Sequence, residues 1–177
     1  MRKGEDYIQT YTGKIIYPLN PREEDIDILD IAHALSMLCR YGGHCREFYS
    51  VADHCVNVSN LVYDSTVGKS CALWGLLHDA SEAYLMDIPA PIKHSNLMRP
   101  YRVAEKTLML AISRKFLYGT EEPAIVRSVD RAILTSERLS LMPVECKPGK
   151  TFLRIIPKSP AHAEAAFLER FYDLTGA

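Results

Sequence analysis

Hydrophobic positions change period along this chain, and each change marks an element. "YIQTYTGKIIYPL" (7–19) is rich in β-branched and aromatic residues and is broken at Thr12-Gly13, which predicts a short hairpin. After Pro21 the period lengthens. Ile28, Ile31, Ala32, Leu35 and Leu38 follow helical spacing until Gly42-Gly43. Val51 to Tyr63 repeats the pattern with Val51, Val58, Leu61 and Val62 on one side, and Cys71 to Tyr84 is apolar nearly all round at its start, which predicts a central helix. "DIPAPIKHS" reads as a proline-punctuated loop. A helix follows from about Arg102 to Phe116, and another begins at Pro123 and runs to about Met142. "VECKPGKTFLRIIPKSP" is a connecting excursion, after which Ser159 caps a last helix that ends near Gly176. The fold class expected is mostly α, a single helical bundle over 1–177 with a small N-terminal β-hairpin.

Composition narrows the class. The chain has 177 residues, 47% hydrophobic and 24% charged, the balance of one globular domain with a core of its own. Its net charge of −1 carries no basic footprint, which argues against a nucleic-acid partner. The five cysteines (Cys39, Cys45, Cys55, Cys71, Cys146) form no C-x-x-C pair, so inert thiols are expected rather than a zinc ribbon or a disulfide framework. "MRKGEDYIQT" lacks the apolar stretch of a secretory signal, and no apolar run approaches a membrane span. The expectation is a cytoplasmic protein with no membrane partner.

Ionisable residues fall on the apolar faces. His54 lies on the stripe of Val51, Val58 and Leu61. Asp130 sits among Val126, Ile133 and Leu134, and His78 stands four residues after Trp74 with Asp79 beside it. A lone buried histidine is ordinarily a neutral structural one, and a lone inward aspartate a cap or an ion pair. Together they ask for more, because buried carboxylates require compensation and no inward Lys or Arg is evident near Asp79 or Asp130. A divalent cation held by two imidazoles and two carboxylates would satisfy all four. Donors without thiolate admit Co, Mn, Zn, Fe or Ni. Cys55, about 100° round the helix from His54, is not expected to join them.

His54, then His78-Asp79, then Asp130 resembles the H…HD…D signature of the HD-domain metal-dependent phosphohydrolases. "LCRYGGHCREFYSVADHCVNVS", "ALWGLLHDASEAYLMDIPAPIK" and "DRAILTSERLSLM" resemble a compact branch of bacterial 5′-deoxynucleotidases and phage deoxyadenosine triphosphate triphosphohydrolases. "TYTGKIIYPLNPREEDIDILDIAHALS" is similar to the phage members. The resemblance implies an HD-domain bundle with His54, His78, Asp79 and Asp130 as metal ligands and room for an additional Mg. Glu82 matches an acid implicated in water activation, Asp87 a second active-site carboxylate and Arg40 a phosphate-binding arginine. Tyr41 stands where the nucleotidases have a tryptophan against the sugar, and Ala83 stands where the guanosine tetraphosphate hydrolases carry a second acid, which argues against that substrate.

The residues themselves fit that chemistry. Glu82, four after His78, falls on the same helix face and can reach water over a metal as general base; its plain alternative is an exposed acid. Asp87, before the stiff Ile88-Pro89, reads as an active-site carboxylate or a loop cap. Arg40 is placed at a helix end, where a cation favours the dipole or its planar fork takes a phosphate. Tyr41 is an aromatic wall for a nucleotide, and Lys93 a contact for outer phosphates or an exposed lysine. His44 reads as supporting the site or structural, with His33, His94 and His162 in the same position. The leading expectation is hydrolysis of a deoxynucleotide substrate, dATP, to deoxyadenosine and intact triphosphate. A 5′-deoxynucleotidase is the alternative of the same class, and a helical binding module and a nuclease are the others. By resemblance the enzyme is a homo-oligomer (dimer or hexamer), in the host cytoplasm if phage-encoded.

Overall fold

The computed structural model describes residues 6–117, 119–143 and 153–176. Cys146 and most of the predicted excursion after the helix ending near Met142 lie outside those residues. The fold is mostly helical with a two-stranded antiparallel hairpin at its N-terminal end, as the periodicity predicts.

Strands β1 (Ile8–Gln9) and β2 (Ile15–Ile16) pair Ile8 with Ile16 and Gln9 with Ile15 around a turn at Tyr11–Gly13. Gly13 supplies the positive φ of 84° that this turn requires. Thr12 donates its backbone N–H (2.7 Å) and its hydroxyl (3.0 Å) to Asp30, a buried carboxylate on helix α1 (Ile28–Met37), which ties the hairpin down.

Helices α2 (Val51–Val62) and α3 (Lys69–Leu77) form the centre. Ser50 caps α2 by accepting from the amide of Asp53 at 3.0 Å. On one side they pack against α1 and the C-terminal α8 (Pro160–Thr175) through Ile31, Leu35, Val51, Cys55, Leu76 and Phe167. On the other, Val58, Val62 and Trp74 pack against Val126, Ile133 and Leu141 of α7 (Ala124–Leu141). Both faces of α2 and α3 are therefore covered, in keeping with the all-round apolarity of α3. Gly75 makes the central contact possible: a Cβ there would stand 3.2 Å from the Ser59 Cα.

Several boundaries differ from the periodicity reading. The predicted helix over Cys71–Tyr84 stops at Leu77, and tight turns lead into the short α4 (Glu82–Leu85). The cause is polar. His78 donates Nδ1–H to the Gly75 carbonyl at 2.9 Å, taking the acceptor an α-helix would offer the amide of Asp79. Pro123 immediately precedes α7 rather than opening it, and "DIPAPIKHS" contains the one-turn α5 (Ala90–Lys93). Helix α6 (Arg99–Phe116) starts three residues earlier than expected. Ser159 caps α8, and Gly176 ends it with a positive φ of 74°. Before α8, the extended residues 153–158 lie against α7 and α2. Leu153 and Ile155 donate to Ser136 and Ser140, and Lys158 pairs with the buried Asp53 at 2.5 Å. Among the described residues no helix is long and apolar enough to cross a membrane.

Candidate metal centre and cleft

Three helices meet at one point. His54 from mid-α2, His78 and Asp79 from the turn after α3, and Asp130 from α7 converge there. The close α2–α3 approach at Gly75 sets His54 Nε2 3.3 Å from His78 Nε2. Asp79 Oδ2 lies 3.3 Å from His78 Nε2 and 3.8 Å from His54 Nε2. Asp130 Oδ1 lies 3.2 Å from His54 Nε2 and 3.9 Å from His78 Nε2. His54, His78 and Asp79 thus form a His/His/Asp group that could hold a metal ion. Atoms held 2.0–2.2 Å from a common tetrahedral centre stand about 3.4 Å apart, which is the observed scale.

The opposite ring edges explain why these nitrogens face inward. The Gly75 carbonyl can only accept, so His78 carries its proton on Nδ1 and, when neutral, presents a lone pair on Nε2. His54 Nδ1 meets Glu137 Oε1 at 2.6 Å, with both side chains fully buried, so its Nε2 is presented the same way. Two lone pairs and two carboxylates in so small a space repel one another, and a cation removes the conflict. Burial opposes a charge on His78, yet the Asp79 carboxylate outweighs it and holds its affinity for a proton well above the ordinary. Asp79 is held far below the usual range despite its burial, because His78, His54 and Arg40 face it. The place attracts positive charge.

Glu137 is the residue that the pattern of α7 shows and the sequence reading passed over. It follows Asp130 by seven positions on the face of Ile133 and Leu141, so an acid there is buried with the stripe. Beside His54 it accepts from the hydroxyls of Tyr41 (2.7 Å) and Tyr49 (2.9 Å) and from Arg40 Nη2 (3.4 Å). Burial works against its charge, but His54 and Arg40 overcome it and bring its pKa down to about 2. Arg40 also corrects an expectation: it is an inward cation, 9% exposed, with Nη1 3.5 Å from Asp79. Nor does it end a helix. Helix α1 stops at Met37, Cys39 bridges to Ser50, and Arg40 opens a tight turn whose amide bonds to the Tyr49 carbonyl. Asp130 is less inward than its stripe suggests, its side chain being 33% exposed at the edge of the site.

Glu82 opens α4, so it reaches the site from a second helix rather than from one turn further along the first. It is 4% exposed, its Oε2 has no hydrogen-bond partner, and burial with the neighbouring Asp79 and Asp87 holds its pKa well above the carboxylate range. Asp87 is shifted the same way, again chiefly by burial. Lys93 lies between two acids, paired closely with Glu105 and 3.9 Å from Glu82. Among the described residues two non-glycine ones carry positive φ, Tyr41 at 57° and Met86 at 72°, and they adjoin Arg40 and Asp87. Such conformations cost on the order of 1–3 kcal/mol and persist where packing over-determines them, often at functional sites.

Arg40, His78, Asp79, Glu82, Asp87 and Asp130 open onto one cleft of about 1480 Å³, walled by α6 and α7 and larger than the roughly 300–1,000 Å³ of a typical small-molecule site, while His54 and Glu137 are fully buried. The remaining histidines stand apart from the four donors. His33 stacks on Tyr11 and meets Glu164 at 3.0 Å, His162 bonds to Ser159, and His44 and His94 are exposed. The described cysteines are unpaired, and Cys55 belongs to the apolar core.

No protein-family model matches the chain. It is 38% identical over 177 residues to the uncharacterized protein YfdR of Escherichia coli strain K12, covering 96% of both chains. It is 30% identical over 182 residues to an uncharacterized protein of Rhodobacter capsulatus, covering 92% of both. At that identity, over nearly the whole length of each, the chain belongs to the family of YfdR.

Proposed function

We propose that the protein is an HD-domain metal-dependent phosphohydrolase acting on deoxynucleotides, and that it converts dATP to deoxyadenosine and triphosphate. His54, His78 and Asp79, with Asp130 as fourth donor, would hold a divalent transition metal. The observation that carries the reading is the pair of buried polar atoms left without partners beside that group, Glu82 Oε2 and Arg40 Nε. Leaving such atoms unpaired costs about 1–3 kcal/mol each, more when charged, so they are groups waiting for a ligand.

When bound, the ion polarises a phosphoryl oxygen and lowers the pKa of water. The remaining work falls to the chain. Arg40, anchored by Glu137 and Asp79, offers its planar fork to the phosphate under attack. Glu82, with its heightened proton affinity, takes the proton of the attacking water on its carboxylate. Water oxygen joins the α-phosphorus and the bond to the 5′-oxygen breaks. Asp87, also holding its proton more tightly than usual, supplies one to that departing oxygen. Tyr41, fixed through its hydroxyl to Glu137, presents its ring as a wall of the cleft.

The test is to reconstitute the protein with single divalent metals, supply dATP and dAMP separately, and resolve the products by anion exchange. Deoxyadenosine with intact triphosphate is the expected result. Phosphate from dAMP with dATP untouched would make the protein a 5′-deoxynucleotidase, and no turnover with no metal retained would leave a helical binding module. His78→Ala and Asp79→Ala should lose metal and activity together. Glu82→Ala should keep metal and lose turnover; full activity in that variant would remove Glu82 from the mechanism.

A further inference from the structure

The cleft is electrically divided. Its floor holds Asp79, Glu82, Asp87 and Asp130, while its walls carry cations from α6 and α7. Some cations of the cleft are already matched: Arg40 faces Asp79 and Glu137, Lys93 pairs with Glu105, and Arg127 with Glu122 at 3.2 Å. Arg99, Arg102, Lys106, Arg131 and Arg138 are not, for none of them meets a carboxylate among the described residues. Arg102 is nevertheless held in place, its Nη1 donating to the carbonyls of Lys93 (2.5 Å) and Ser95 (2.7 Å). In a chain of net charge −1, five unmatched cations lining one cleft form a local field that the composition does not suggest.

A single phosphate seated between the donor group and Arg40 leaves these five side chains without a counter-charge. A chain of phosphates does not. We infer that Arg99, Arg102 and Lys106 of α6, with Arg131 and Arg138 of α7, form a subsite for the outer phosphates of an oligophosphate. They thereby select nucleoside triphosphates over monophosphates. The inference rests on the phosphohydrolase reading for its location and adds the residues that choose among phosphate esters. Lysine and arginine at a solvent-open wall attract the anion over a distance and grip it through charge-assisted hydrogen bonds, so binding through them weakens with salt.

The experiment compares the metal-reconstituted protein with Lys106→Gln/Arg131→Gln and with the control Arg114→Gln, which removes a cation outside the cleft. Calorimetric binding of inorganic tripolyphosphate and of orthophosphate is measured at low and high salt, followed by kinetics on dATP and dAMP. Tripolyphosphate affinity and KM for dATP should each worsen about tenfold in the double variant, with orthophosphate affinity, kcat and the dAMP kinetics unchanged. Arg114→Gln should behave as wild type. Equal tripolyphosphate binding by the wild type and the double variant would overturn the subsite. Tripolyphosphate bound through these residues without turnover of any nucleotide would keep the subsite and discard the phosphohydrolase. Turnover of dAMP without tripolyphosphate binding would do the reverse. The substituted side chains are exposed, so circular dichroism should match the wild type.

Discussion

Among the described residues two histidine–glutamate pairs hold helices together, and they differ in almost everything but residue type. His33 and Glu164 join α1 to α8 at 3.0 Å, with side chains 31% and 24% exposed. His54 and Glu137 join α2 to α7 at 2.6 Å with no exposure at all. At the rim, water solvates either partner if the other leaves, so the pair is a clasp. In the interior, Glu137 also serves Tyr41, Tyr49 and Arg40, and its grip on Nδ1 turns the other nitrogen of His54 toward His78. Burial converts the same contact from an accessory into the frame of a site.

Glu137→Ala should break the comparison most severely. It strands His54, Arg40 and two tyrosine hydroxyls in the interior, and the loss expected in urea unfolding is about 3–5 kcal/mol. Metal affinity should fall roughly 10–100-fold, as for other partners that orient a ligating histidine, and calorimetric titration would measure it. If the loss of stability is no larger than for Glu164→Ala, the interior pair holds no more than the rim pair.

Acid sharpens the same contrast. The folded-state pKa of Glu137 lies below its ordinary value of 4.5, at about 2. Its contribution is therefore fully present above pH 4.5 and is lost as pH falls from there toward 2. Metal-free wild type should lose stability over that window more steeply than Glu137→Gln, which carries no titrating group there. Parallel acid limbs in the two proteins would contradict the assignment.

Gly75→Ala tests the approach that brings the imidazoles together. The added Cβ meets the Ser59 backbone rather than a flexible side-chain end, so α2 and α3 must shift, at a cost of about 1–3 kcal/mol. Weakened metal binding should accompany the loss, whereas a change in stability alone would separate helix packing from the site. The smallest effect belongs to the rim. Glu164→Ala should cost no more than about 1 kcal/mol and leave metal binding untouched.

Much of this arrangement is legible along the chain. The 3.6-residue stripes of Ile28–Leu38 and Val51–Val62 place those helices, and Ser159-Pro160 marks the start of α8. Those features are local, set by periodicity and capping, so a window of sequence contains them. The same stripes locate His54 on a buried face and bring Asp130 toward the interior. Tertiary structure decided the rest. Whether α3 continues past Leu77 depended on one side chain competing for the Gly75 carbonyl. Arg40 became the buried counter-charge of Asp79 because a turn and the Cys39–Ser50 bridge fold it back, and no periodicity encodes a turn's direction. Glu137 was readable as an acid in an apolar stripe, but its partners come from a turn and a helix 83 or more residues earlier. Sequence alone determined which apolar stripes would be buried. Which of them would meet, and with what charge between them, was decided by packing, because electrostatics acts across space and not along the chain.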